Sequence, residues 1–111
     1  MSRGSLLYTV SLGLYVADPR SYTVFIDELR STVAKAGYRV SKFFTTSLIA
    51  AGEGVLLKLY PSRADVEELW RSGGLRVEVT VMGSDPVRVL EVVDTVAGIA
   101  RRSGIRIEIL G

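Results

Sequence analysis

The sequence predicts an α+β fold, a mainly antiparallel sheet of five strands with three helices on one of its faces. Three observations carry that expectation. Apolar residues alternate with a period of two in Leu6–Val16, Val55–Tyr60, Leu75–Met82 and Ile105–Ile109, the spacing of a strand with one buried face. Between these runs apolar residues recur at helical spacing. Asp-Pro pairs open two of those segments and glycines close them, which are the usual helix start and stop signals.

The elements follow in order. In the first strand Leu6, Tyr8, Val10, Leu12, Leu14 and Val16 share one face. Asp18-Pro19 opens a helix carrying Tyr22, Phe25, Ile26, Leu29, Val33 and Ala36, and Gly37 ends it. Arg39–Ala50 is rich in Val, Phe, Thr and Ile and reads as one strand. Its faces separate poorly, so a bulge near Lys42–Thr45 is expected. Ala51–Gly54 turns the chain into the third strand. Ser62 with Asp65 resembles a capping box and starts a short helix to about Arg71, which includes the single Trp70. Burial against the sheet is the expected role of Trp70, with a partner contact as the alternative. Gly73-Gly74 leads into the fourth strand. Asp85-Pro86 opens the third helix, with Leu90, Val93, Val96, Ala97 and Ala100 as its apolar face, widened by Val87, Val92 and Ile99. Arg101 and Arg102 suit its C-terminal dipole, Gly104 caps it, and Ile105–Ile109 is the last strand.

The order is thus β-α-β-β-α-β-α-β. Its first six elements resemble the ferredoxin-like βαββαβ pattern, extended by a C-terminal αβ unit at one sheet edge. The resemblance is one of architecture and implies no activity. No linker or low-complexity stretch divides the chain, so residues 1–111 read as a single domain.

Composition narrows the chemistry. The chain contains no Cys, His, Asn or Gln. Loss of the heat-labile residues is a mark of a thermophilic source. Without His or Cys, the common zinc sites and the Ser-His-Asp and Cys-His nucleophile systems are excluded. No cofactor or metal is expected. An enzyme would have to use carboxylates, Tyr or a carboxylate-held Mg, and Asp18 at the end of the first strand is its best candidate. Asp18 is also an ordinary helix cap. The net charge of +2 is too small to create a strong field for nucleic acid or an acidic membrane. Eleven Arg stand against three Lys, and Arg favours interfaces and phosphate contacts. No targeting segment or membrane-length run is visible, which gives a cytoplasmic expectation.

The second sheet face is the candidate site. If the helices cover the Leu12/Val79/Ile107 side, Tyr15, Phe43, Lys58, Tyr60, Arg76, Met82 and Arg106 share the other, among Thr9, Ser11, Glu78, Thr80 and Glu108. Aromatics among cations suit a homo-oligomer interface, and such an interface can enclose a pocket for a small ligand between subunits. They also suit stacked bases and phosphates of single-stranded RNA or DNA, although the aromatic motif of RNA-recognition sheets is absent. A solvated amphipathic face is the third possibility. Ser62 and Arg63 are a candidate anion site at a helix start, where capping by Ser62 explains the same residues.

Overall fold

The fold is that of a computed structural model, which describes residues 7–41, 47–61 and 74–110. The elements are β1 (Tyr8–Val16), α1 (Pro19–Lys35), β2 (Arg39–Ser41), β3 (Leu48–Gly52), β4 (Val55–Pro61), β5 (Leu75–Gly83), α2 (Pro86–Arg102) and β6 (Arg106–Ile109). The six strands form one open sheet in the order β2-β3-β4-β5-β1-β6. Every pairing is antiparallel. No helix among the described residues is long and apolar enough to cross a membrane.

Local chemistry accounts for the boundaries. The Asp18 carboxylate accepts the Ser21 N–H at 2.9 Å and the Ser21 hydroxyl at 3.0 Å, capping α1. The backbone bond from Ser21, foremost, lowers the Asp18 pKa from its ordinary value. Asp85 caps α2 by accepting the Val87 N–H at 3.0 Å. Both helices end in a paired closure. Tyr38 and Gly37 donate to the Val33 and Ala34 carbonyls, and Ile105 and Gly104 donate to those of Ala100 and Arg101. Gly37 and Gly104 hold φ of +96° and +76° there, a conformation that costs glycine little. Between β3 and β4, Glu53 and Gly54 both have positive φ, which makes the tight hairpin turn whose twist matches the sheet.

Two expectations are corrected, and a third falls partly outside the described residues. The segment Arg39–Ala50 is not one bulged strand. It reverses between Ser41 and Leu48, so that Val40 faces Ala50 and Ser41 faces Ile49 across a ladder. The sheet therefore has six strands rather than five, and the poor separation of faces reflects two strands running in opposite directions. Of the three expected helices, two lie among the described residues; the one expected over 62–71, with Ser62, Arg63 and Trp70, lies outside them. Finally, β1 sits between β5 and β6. A core made of the first six elements would have put β4 beside β1.

The helices lie on one side of the sheet and contact each other. From α1, Phe25, Ile26, Leu29 and Val33 are buried. They close on Leu12, Leu14, Leu57, Val77 and Val79 of the sheet. Each fully buried side chain of this size contributes about 1.5–3 kcal/mol. The buried residues of α2 are Val89, Val92, Val96, Ile99 and Ala100, whereas Val87 and Leu90 are exposed and Val93 is half-buried. Val96 and Ala100 of the expected face are buried, with Val92 and Ile99, but the helix is rotated so that Val89 joins them while Leu90, Val93 and Ala97 turn toward the edge of the contact. The apolar arc of the helix is wider than the face it buries, so its period alone leaves the docking angle open. Arg102 with Glu28 at 2.5 Å, and Arg88 with Glu53, tie α2 to α1 and to the β3–β4 turn. All four side chains are substantially exposed, so these pairs orient the elements more than they stabilise them.

Candidate functional site

Helices cover the even-numbered side of β1, and among the described residues no helix covers its odd-numbered side. The ladders then fix which side chains become neighbours. Tyr15 lies opposite Arg76 on one flank and Arg106 on the other. Gly13 lies between Glu78 and Glu108, and Glu78 is in turn opposite Tyr60. Ser11, Thr80, Lys58 and Ile49 form a third row. Thr9, Met82, Leu56 and Ala51 form a fourth. The structure thus brings Tyr15, Lys58, Tyr60, Arg76, Met82 and Arg106 onto one uncovered face. Phe43 lies outside the described residues, as do Ser62 and Arg63.

The face has two zones. At one end a charged cluster centres on Tyr15. Its hydroxyl donates to the Glu108 carboxylate at 2.6 Å. The Arg76 and Arg106 guanidinium carbons stand 5.6 and 5.0 Å from its ring centroid, within cation–π range. The bond to Glu108, foremost, raises the Tyr15 pKa, because the carboxylate stabilises the protonated phenol; the two arginines act in the opposite direction. The Tyr15 ring therefore already engages both cations, and its hydroxyl engages the Glu108 carboxylate.

Ile49, Leu56, Lys58, Thr80 and Met82 make the second zone, all half-buried, with Tyr60 exposed beside them. Lys58 stands opposite Ile49 and next to Leu56 on its own strand, with Met82 diagonal to it, and a long cationic side chain can lie along such a surface with its head in water.

Three features had no sequence signal or only part of one. Leu110 folds over Gly13, where a β-carbon would meet its side chain at 3.5 Å. Its N–H donates to the Ser11 carbonyl at 2.8 Å, extending the β6 ladder by one residue. Ile49 entered the face only once β3 was recognised as a separate strand. On the opposite side, a cleft of about 160 Å³ opens between α1 and α2, lined by Thr32, Tyr38, Glu53, Arg88, Glu91 and Thr95 among others. Its residues come from three distant segments, so no local pattern could have announced it.

Asp18, the candidate catalytic acid, is engaged as the α1 cap. Among the described residues no three acidic side chains gather closely enough to hold a metal ion. No family model matches the chain, and no curated protein matches it.

Proposed function

We propose that this protein is a non-enzymatic oligomeric module that associates with a second copy of itself through the uncovered sheet face. One observation carries the reading: Leu56 and Met82 stand opposite each other, with Ile49 diagonal to Leu56, on a face that no described element covers. Six strands spaced about 4.8 Å apart, with some six residues each, give a footprint on the order of 500 Å². Side-chain relief brings the accessible surface toward the roughly 800 Å² per partner of a standard interface. The face carries Lys58, Arg76 and Arg106 beside Glu78 and Glu108, so a two-fold arrangement can set cation against carboxylate.

We read the core as ferredoxin-like, built from different elements than the sequence suggested. Taken as β1-α1-β4-β5-α2-β6, the strands stand in the order β6-β1-β5-β4. Each helix then connects two strands that flank a third, and β2–β3 is an insertion after α1. This supports an architecture and no particular activity.

The test is Tyr60→Glu. A carboxylate placed inside an apolar contact is costly unless paired, so the association constant should fall at least tenfold while the fold is retained. An unchanged mass across a concentration series removes the reading. Retention of an oligonucleotide at low salt that requires Lys58 and Arg76 would favour nucleic acid instead.

A further inference from the structure

We infer that the outer edge of β6 is a second self-association surface, pairing antiparallel with β6 of another copy so that the two sheets become one. This contact is separate from the face contact proposed above and does not rest on it.

The backbone points that way first. Among the described residues, β6 ends the sheet with a neighbour on one side only. Because Leu110 turns its N–H toward β1, Glu108 and Arg106 turn theirs the same way, and Ile107 and Ile109 direct their N–H and C=O groups outward. Such an unpaired row is a template for another strand. The strand has no Pro and no Lys to blunt it.

Charge then selects the partner and the register. Only residues on the same face can stand opposite each other across an antiparallel pair. Two symmetric registers keep residues of β6 paired over about five positions. Centred on Glu108, the pairing sets two carboxylates against each other. Centred on Ile107, it sets Arg106 opposite Glu108 of the second copy, and Glu108 opposite Arg106, while Ile105 and Ile109 meet across the other face. A strand with Arg and Glu two residues apart, one on each side of Ile107, is its own complement about a two-fold axis.

The helix side supplies apolar surface for the same contact. The α2 flank bearing Arg88, Glu91 and Thr95 lines the cleft with α1. Its opposite flank carries Leu90, Val93 and Ala97, and α2 contacts β6, which sets this flank above the sheet edge. Ile109 is 71% exposed and Leu90 57% exposed in the single chain. A second copy at the β6 edge covers both.

The experiment is sedimentation of the full chain over a concentration range, in the Tyr60→Glu background so that the face contact is weakened. The chain should still dimerise. Ile109→Pro removes an outward N–H, costs little packing, and lies on the sheet side that a face contact does not touch; it should weaken the dimer at least tenfold. Glu108→Arg opposes like charges twice and should do the same. The double variant Arg106→Glu/Glu108→Arg re-creates opposite pairs and should restore the dimer, which a merely misfolded strand would not do. A dimer indifferent to Ile109→Pro and Glu108→Arg overturns the inference, as does a monomer in the parent chain or a double variant without recovery. If Tyr60→Glu changes nothing while Ile109→Pro dissociates the dimer, the face reading fails and the edge reading stands.

Discussion

Two glycines should respond to the same substitution with opposite signs. Gly83 ends β5, opposite Tyr8 of β1 and Val55 of β4. A β-carbon there would stand 2.7 Å from the Gly54 carbonyl oxygen, 3.2 Å from a Val89 methyl and 3.3 Å from a Val55 methyl. The nearest obstacle is backbone in the tight β3–β4 turn, so it cannot swing aside as a flexible side chain would. Overpacking of this kind costs about 1–3 kcal/mol, against a gain of about 0.4–1 kcal/mol from restricting the unfolded chain. Gly83→Ala should therefore destabilise by about 1–2 kcal/mol, lowering Tm by roughly 4–8 °C for a domain of this size. Gly98 lies inside α2, where a β-carbon would meet only the Arg102 guanidinium at 3.6 Å, an ordinary contact. Gly98→Ala should stabilise by about 0.5–1 kcal/mol through helix propensity. Urea and thermal denaturation of both variants under one condition give the comparison. If Gly83→Ala matches the parent chain, the close approach of β5 to the turn and to α2 is wrong. If Gly98→Ala is destabilising, the placement of that helix face is wrong.

Two further outcomes follow from the core and the charged cluster. Phe25 is fully buried and its ring lies 6.3 Å from that of Tyr22, so Phe25→Ala should cost about 3–5 kcal/mol; a loss under about 1 kcal/mol by urea titration contradicts the docking of α1. The Tyr15 phenol should titrate above the ordinary range in ultraviolet difference spectra, and Glu108→Gln should lower it. Because this folded pKa is raised, the associated stability is complete below the unfolded value of about 10 and is lost as pH rises through the folded one. A Tyr15 pKa insensitive to Glu108→Gln removes the hydrogen bond as its cause.

Much of the candidate face was legible before any coordinates. Strand alternation is a local property, and Tyr15, Lys58, Arg76, Met82 and Arg106 each sit opposite in phase to a run of Leu, Val or Ile. Once those runs are buried, the others must share the bare side. Their grouping into rows was not legible, because register depends on which strands are neighbours.

What the sequence by itself determined is therefore what short-range chemistry controls: the caps at Asp18 and Asp85, the glycine closures at Gly37 and Gly104, the phase of each long strand, and the absence of His and Cys chemistry. Tertiary structure decided the rest. The reversal between Ser41 and Leu48 depends on β2 pairing with β3, since a three-residue strand has too little alternation to declare itself. The rotation of α2 was set by packing, because Val, Leu, Ile and Ala span a wide arc opposite the Arg88/Glu91/Thr95 flank and more than one part of it could have been buried. The strand order, which leaves the β6 edge open and brings Arg106 and Glu108 around Tyr15, arises from contacts between residues as far apart as Ser11 and Leu110. No local pattern encodes such contacts, because their free energy appears only when the whole sheet has formed.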